Sequence, residues 1–191
     1  MIFDVDDLFE GHDRMDLLER LKKANPAFKV SAFAIPSACP DPYIESLPDW
    51  IEVIPHGWFH GDPPTDGGEC RDWTHDDMAE VISLIEGMSP RWQRGFKAPG
   101  WVISQDCLEI LASEDWWVAD QSYNDGRRPE GLRVHRLGDH DGEAHVHCHV
   151  QNVCGNGLEE TFDTLVGLVT HAKSFKFVSE MVQPWLVAVP A

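Results

Sequence analysis

Two histidines four residues apart, His56 and His60, are the residues whose type and spacing first indicate chemistry. They lie in the segment Pro55-His56-Gly57-Trp58-Phe59-His60-Gly61, directly after a short apolar run. Residues at i and i+4 share one face of a helical turn, so both imidazoles can reach a single metal ion. A catalytic metal commonly takes a third protein ligand, and the segment Asp4-Val5-Asp6-Asp7, at the end of the first apolar run, supplies carboxylates for that position.

A metal held by one carboxylate and two imidazoles is suited to hydrolysis. Such an ion lowers the pKa of a bound water and polarises a carbonyl, while a second carboxylate accepts the proton of the water. The oxyanion that forms needs a further donor, which the backbone N–H of Gly100 can supply. Expulsion of an amine needs an acid that titrates near neutrality, and histidine is that residue. His145, His147 and His149 alternate late in the chain, so a strand would place them on one face.

Hydrophobic periodicity predicts which elements position these residues. Strands are predicted over 2–5, 28–35, 50–54, 95–98, 116–119, 132–137, 144–150 and 175–178. Helices are predicted over 15–23, 41–47, 75–88, 105–113 and 158–172, with Thr74, Ser104 and Asn156 as N-terminal caps. The alternation of strand and helix predicts a parallel sheet or barrel whose site lies at the carboxyl ends of the strands.

Length and composition limit the class of protein. The 191 residues predict a single domain over 1–191. No apolar run approaches the ~20 residues of a membrane span, and the N-terminus lacks a signal-peptide pattern, so we expect a cytoplasmic protein. The net charge of -18 argues against a nucleic acid partner, since only Arg127-Arg128 resembles a basic patch. A neutral or cationic small molecule or oligosaccharide is easier to reconcile with this charge.

The five cysteines are odd in number and scattered, with no Cys-x-x-Cys pair. This pattern argues against a disulfide framework and a structural zinc ribbon, and predicts reduced, mostly buried thiols. Cys148 stands between two histidines and could therefore touch the site.

Four segments in this order resemble the polysaccharide deacetylase (NodB-homology) superfamily. They are Asp4-Val5-Asp6-Asp7, the His56/His60 pair, Phe96-Lys97-Ala98-Pro99-Gly100-Trp101 and the His147/His149 strand. The resemblance covers nearly the whole chain. It implies an α/β fold, an irregular (β/α) barrel of about seven strands, and a metal-dependent amide or ester hydrolase.

Carried over position by position, the resemblance implies that Asp7, His56 and His60 bind one divalent metal and that Asp6 is the general base. Lys97 stands where the family usually has an arginine that pairs with the base carboxylate. This is a departure, because lysine offers a point charge in place of a planar fork. Zinc is the expected metal, although the same ligands suit iron, cobalt or nickel.

The remaining family roles fall later in the chain. The resemblance places the general acid at His147 or His149, with His147 preferred, and an acidic residue that tunes this acid at Asp120. Substrate contacts are expected from four residues near these motifs: Gly100, Trp101, Trp58 and His149. The acyl substrate, an N-acetyl sugar or another amide or ester, stays open, as does the oligomeric state.

Two other functions are compatible with the sequence. The segment Phe3-Asp4-Val5-Asp6-Asp7-Leu8-Phe9 resembles the Asp-x-Asp signature of haloacid dehalogenase-like phosphatases, with Asp4 as nucleophile and Asp6 as acid. That hypothesis lacks a late acidic pair for magnesium and leaves the histidines unexplained. A non-catalytic, carbohydrate-binding relative of the deacetylases is the third possibility, and it would require the loss of a metal ligand.

Overall fold

A computed structural model describes residues 1–61, 68–120, 128–136, 144–151 and 155–184 of the chain. The strands in this part of the chain are β1 (Ile2–Leu8), β2 (Val30–Ala34), β3 (Ile51–Pro55), β4 (Gly95–Lys97), β5 (Trp117–Asp120), β6 (Arg133–Arg136), β7 (His145–His149) and β8 (Gln183–Pro184). The helices are α1 (Met15–Ala24), α2 (Asp41–Ser46), α3 (His75–Glu86), α4 (Gln105–Ser113) and α5 (Leu158–His171). Among the described residues, none of the helices has both the length and the apolar character needed to cross a membrane.

The strands form two four-stranded sheets, in the orders β3-β2-β1-β7 and β4-β5-β6-β8. All neighbouring strands are parallel except β6 and β8, which are antiparallel. Bridges from Val53 to Trp92 and from His56 to Lys97 connect β3 to β4 and so join the two sheets. The predicted α/β class and the mostly parallel arrangement are therefore confirmed.

Local sequence signals account for most of the helix boundaries. Thr74 and Asp77 form a reciprocal capping box at α3, and the Ser104 hydroxyl accepts from the Cys107 N–H at α4, as predicted. The predicted cap at Asn156 is wrong, because Gly157 is the N-cap of α5. The carboxamide of Asn156 therefore serves another role.

The end of the chain differs from the sequence prediction. Residues 175–178 do not form a strand, and Lys176 makes only an isolated bridge with Ile2. The last described strand is β8, which pairs with β6 near Arg133 and Val134. The predicted strand over 132–137 is β6, and Leu137 lies outside the described residues.

Two apolar cores surround the strands. The apolar faces of the helices pack on the outside of the sheets, for example through Leu18 and Leu21 of α1. A second, smaller core gathers side chains from four strands and from the segment after α5: Ile2, Phe33, Ile54, Trp117, Ala119 and Val178. Gly95 makes room for the ring of Trp117, because a Cβ there would lie 2.1 Å from its Cε2 atom. This inner layer supports the polar residues placed further along the same strands.

Candidate metal centre and active site

The acidic residues Asp4, Asp6 and Asp7 lie within β1, not after it as predicted. Asp4 and Asp6 alternate on one face, and their Cα partners on β7 are His147 and His149. The register with β2 shifts between Val5 and Leu8, and Asp7 has a φ of 65°. This irregularity lets two consecutive carboxylates, Asp6 and Asp7, both approach the histidines that follow β3.

His56 and His60 are not on a helical turn, contrary to the prediction. His56 is bridged to Lys97 just after β3, and the chain then turns through positive φ values at Gly57 and His60. The two rings nevertheless lie 5.0 Å apart between centroids. The Nε2 atoms of His56 and His60 lie 3.5 and 2.9 Å from Asp7 Oδ1.

The donor set around Asp7 fits a divalent metal ion. Because a carbonyl oxygen can only accept, the Nδ1–H of His56 donates to the Lys97 carbonyl, 3.0 Å away, and the lone pair of Nε2 faces Asp7. Asp7 Oδ1 is buried and has no hydrogen-bond partner. A buried acceptor facing the lone pair of an imidazole is unfavourable unless a cation lies between them. One atom from each of Asp7, His56 and His60 lies within 4.8 Å of the others, so one ion can reach all three.

The electrostatics of the site also favour a bound cation. Burial raises the pKa of Asp7, but the His56 and His60 imidazoles outweigh it and hold this pKa well below its usual range. The contact with Asp7 in turn raises the pKa of His60 against the opposing effect of burial. The buried ammonium of Lys97 lies 4.0 Å from Asp4 Oδ1 and 2.5 Å from Asp6 Oδ1.

Asp6 is held by Lys97. The Nζ atom lies 2.5 and 2.6 Å from the two carboxylate oxygens, and both side chains are buried. The ammonium also lies 4.0 Å from the ring centroid of Trp101 and 4.4 Å from that of Phe33. A lysine therefore reaches both oxygens here without the fork of an arginine, and it does so in a pocket whose walls are aromatic.

Asp4 is the carboxylate that contacts His147. Its side chain is 0% exposed, with Oδ1 2.6 Å from Nδ1 of His147 and Oδ2 hydrogen-bonded to Nε2 of His145. Burial raises the pKa of Asp4, yet the hydrogen bonds from the two histidines and the charge of Lys97 hold it well below its usual range. An ionised carboxylate accepts the Nδ1–H of His147, so Nε2 faces Asp6 Oδ2 at 3.9 Å.

The carboxylate that contacts His147 is Asp4, whereas Asp120, to which the resemblance gave the role of tuning the acid, contacts Arg128. Asp120 Oδ2 lies 3.0 Å from Nη2 of Arg128, whose side chain is 3% exposed. This contact also corrects the suggested basic patch, since Arg128 is buried and Arg127 lies outside the described residues. The alternation of Asp4 with Asp6, matched to the alternating histidines, was the signal that could have identified Asp4.

His149 is oriented by a different neighbour. Its Nδ1 lies 2.7 Å from Asn156 Oδ1, and its Nε2 lies 3.9 Å from Asp6 Oδ2. Asp6, His147 and His149 are thus a second group close enough to hold an ion. Lys97 already occupies both oxygens of Asp6, which favours a single ion at Asp7.

Cys148 points away from these histidines. It is buried, its Sγ lies 3.6 Å from the Asp4 carbonyl, and burial raises its pKa well above the usual value. Cys39, Cys70 and Cys107 are also free and buried, as predicted, and Cys154 lies outside the described residues. These thiols take no part in the site.

Of the aromatic residues predicted to contact the substrate, Trp101 lies beside the same group. The ring centroid of Trp101 is 5.9 Å from that of His147, so this indole forms a wall of the site. Gly100 is exposed, with a φ of 64°. Trp58 is half-buried and its ring meets that of the exposed Phe59 edge to face.

Comparison with known proteins identifies the fold. No family model and no curated protein matches this sequence. A CE4 family pseudoenzyme from Bacillus anthracis matches in structure with a TM-score of 0.63 at 14% identity, over 95% of this chain and 64% of that one. A family 4 acetyl xylan esterase from Clostridium thermocellum, in complex with a cobalt ion, matches with a TM-score of 0.58 at 14% identity, over 94% of this chain and 88% of that one. The Xyl-CE4 domain of a multidomain xylanase from the hindgut metagenome of Trinervitermes trinervoides matches with a TM-score of 0.59 at 13% identity, over 94% and 87%.

These matches confirm the predicted fold. The chain adopts the distorted α/β barrel of the CE4 polysaccharide deacetylase (NodB-like) proteins. The phosphatase hypothesis is not compatible with the geometry, because Asp4 is fully buried between two histidines and cannot attack a substrate. The chain spans just under two thirds of the length of the pseudoenzyme that it matches.

Proposed function

We propose that this protein is a metal-dependent deacetylase that removes an acyl group, most simply acetyl, from an N-acetylated sugar or a related amide or ester. The observation that carries the proposal is the buried Asp7 Oδ1 atom, which has no hydrogen bond and faces Nε2 of His56 and His60. Beside it stand a carboxylate held by lysine and a histidine held by a carboxylate. The three features together supply a metal site, a base and an acid.

Asp7, His56 and His60 would hold the metal, with zinc as the expected ion and iron, cobalt or nickel as alternatives. When bound, such an ion polarises an acyl carbonyl and lowers the pKa of water. The cobalt ion of the acetyl xylan esterase, a protein of the same fold, supports this assignment. The carbonyl of Lys97 orients His56 so that Nε2 is available.

Asp6 is proposed to be the general base. Its Oδ2 lies 3.7 Å from His56 Nε2 and 3.9 Å from His147 Nε2, which places it between the metal ligands and the acid. Lys97 fixes this buried carboxylate through both of its oxygens. A water between Asp7 and Asp6 would then transfer its proton to Asp6 as it attacks the acyl carbon.

His147 is proposed to be the general acid, with Asp4 orienting it. The bond from Nδ1 to Asp4 directs Nε2 toward Asp6. Nε2 would protonate the leaving amine or alcohol when the tetrahedral intermediate collapses. His149 lies at the same distance from Asp6 and is proposed to contact the substrate.

The substrate would lie across Trp101, next to His147, with the Gly100 N–H as a donor to the oxyanion and Trp58 as a second aromatic wall. An apolar indole wall and the overall negative charge suit a neutral acylated sugar, and also the cationic amine that deacetylation of an amino sugar releases. An oligosaccharide is the substrate class that the acetyl xylan esterase of the same fold supports.

Asp6→Asn tests the proposal, since base and metal ligand are different residues. We expect the variant to keep the metal content of the wild type and to lose acetate release from acetylated chito-oligosaccharides, acetylated xylan and 4-nitrophenyl acetate. Thermal unfolding checks that the buried Lys97 tolerates the amide. No acetate release by the metal-loaded wild type from any of these substrates would point to a catalytically inactive relative, and hydrolysis by Asp6→Asn at the wild-type rate would reject Asp6 as the base.

A further inference from the structure

One carboxylate, that of Glu69, accepts hydrogen bonds from three consecutive backbone N–H groups. Glu69 Oε2 accepts from Trp58 and His60, each at 3.0 Å, and Oε1 accepts from Phe59 at 2.9 Å. Consecutive N–H groups that converge in this way form a concave anion-binding site, called a nest. Here the anion is a side chain of the same protein, nine residues after His60.

The backbone around Glu69 is shaped to allow this contact. Gly57 has a φ of 64°, and a Cβ at this position would lie 2.2 Å from Glu69 Oε2 and 2.7 Å from Pro99 Cγ. Gly68, directly before Glu69, has a φ of 80°, and a Cβ there would lie 2.2 Å from the Pro99 carbonyl oxygen. Glycine at position 57 lets the backbone approach the side chains of Glu69 and Pro99, and glycine at position 68 lets it approach the Pro99 carbonyl.

His60 depends on this contact more than His56 does. His56 lies next to β3, where its backbone N–H donates to the Ala34 carbonyl and its ring donates to the Lys97 carbonyl. His60 lies beyond the strand, in a turn with no helical or strand hydrogen bonds, and its own N–H donates to Glu69. The position of its ring opposite Asp7 is therefore set by a turn that Glu69 holds.

We infer that Glu69 is a positioning residue: it fixes the turn of residues 57–60 and thereby sets how well His60 serves the metal centre at Asp7. This inference rests on the proposed function and adds a residue that touches neither the ion nor the substrate. The three metal ligands are then positioned in two ways: Asp7 and His56 by the strands, and His60 by the side chain of Glu69.

Two variants of Glu69 distinguish positioning from a general structural role. Glu69→Ala removes the acceptors of all three hydrogen bonds. Glu69→Gln keeps two of these bonds, because the amide oxygen can take the place of Oε2, and its NH2 group then faces only the Phe59 N–H. Asp72→Ala is the matched control, since it removes an exposed carboxylate three residues further along the chain.

The first readout is amide hydrogen exchange in the metal-free protein. We expect the amides of Trp58, Phe59 and His60 to lose protection in Glu69→Ala, only Phe59 to lose it in Glu69→Gln, and none to change in Asp72→Ala. The second readout is the affinity for Zn2+, measured by competition with a chelator. Loss of a residue that orients a metal ligand weakens affinity by about 10- to 100-fold, which we expect for Glu69→Ala. Glu69→Gln should remain within about tenfold of the wild type.

The outcomes separate this inference from the proposed function. Normal Zn2+ affinity in Glu69→Ala, together with lost amide protection, would overturn the inference and leave the metal site intact. Equal losses of affinity in Glu69→Ala and Glu69→Gln would also overturn it, because affinity would then not depend on how many of the three hydrogen bonds remain. Failure of the wild type to bind Zn2+ would contradict the proposed function, whatever the amide exchange shows. If Glu69→Ala does not fold, Glu69→Gln carries the test: a loss of Phe59 protection together with a Zn2+ affinity reduced within about tenfold would support the inference, and the same loss of protection with unchanged affinity would reject it.

Discussion

The barrel buries carboxylates on two strands, β3 and β1, and it stabilises them in different ways. On β3, Glu52 accepts from the Ser31 and Ser179 hydroxyls at 2.5 and 2.6 Å and from the Ser179 N–H at 3.1 Å. These donors are neutral, and burial raises the pKa of Glu52. On β1, Asp6 contacts an ammonium and Asp4 contacts two imidazoles, which hold the pKa of Asp4 well below its usual range.

The difference supports the proposed roles of the β1 carboxylates in metal binding and catalysis. Hydroxyl and amide donors satisfy a buried acid in either protonation state, so Glu52 serves to connect the segment at Ser179 to the barrel. Ammonium and imidazole partners select the ionised form, which a base or a metal ligand must have. Substitutions of the β1 carboxylates should therefore alter metal binding and catalysis, whereas substitutions of Glu52 should alter stability.

The largest effect on catalysis, apart from loss of the base or the metal, is expected for His147→Ala. A positioned general acid contributes roughly 100- to 10,000-fold, so kcat should fall by that factor while metal content stays unchanged. The loss should shrink for 4-nitrophenyl acetate, whose leaving group needs little protonation.

His149→Ala is the comparison variant, since both Nε2 atoms lie 3.9 Å from Asp6 Oδ2. If His149→Ala shows the leaving-group dependence and His147→Ala does not, the acid is His149.

A smaller loss is expected for Asp4→Asn. An amide can accept from only one of the two histidines that bond Asp4, so the variant holds His147 less firmly in its orientation but keeps its ring. We expect kcat to lose part of the ~100- to ~10,000-fold contribution of the acid. NMR of 15N-labelled histidine should show a change in the His147 tautomer.

Asp120→Asn is the control for Asp4, because Asp120 contacts Arg128. A loss of kcat in Asp120→Asn as large as in Asp4→Asn would contradict the proposal that Asp4 is the carboxylate that supports the acid.

The smallest effect, and one on stability alone, is expected for Glu52→Gln. The pKa of Glu52 is raised in the folded protein, so above the pKa of the unfolded chain the folded state binds more protons. The free energy of unfolding contributed by this group is therefore lost as pH rises through the folded-state pKa. Denaturant unfolding between pH 4 and 8 should show a flatter pH dependence in Glu52→Gln, with unchanged acetate release. A pH dependence equal to that of the wild type would mean that Glu52 titrates normally.

The sequence was sufficient for the fold and for most of the residues at the site. Alternating apolar periods located the parallel strands, and the His-x-x-x-His and Lys97-Ala98-Pro99-Gly100 motifs marked their carboxyl ends. Spacing alone could not reveal the irregularity of β1 that brings Asp7 to His60, or the contact of Asp4 with His147, because both depend on the register with neighbouring strands. Glu69 carries no local signal, since its partners are backbone groups.

The most direct test of the account is the metal content of the wild type and His60→Ala after loading with Zn2+ and gel filtration. His75→Ala is the control, because its imidazole is exposed at the start of α3. The account predicts about one zinc per chain in the wild type and in His75→Ala, and none in His60→Ala. A full equivalent of zinc in His60→Ala, or no zinc in the wild type, would contradict a metal centre at Asp7, His56 and His60.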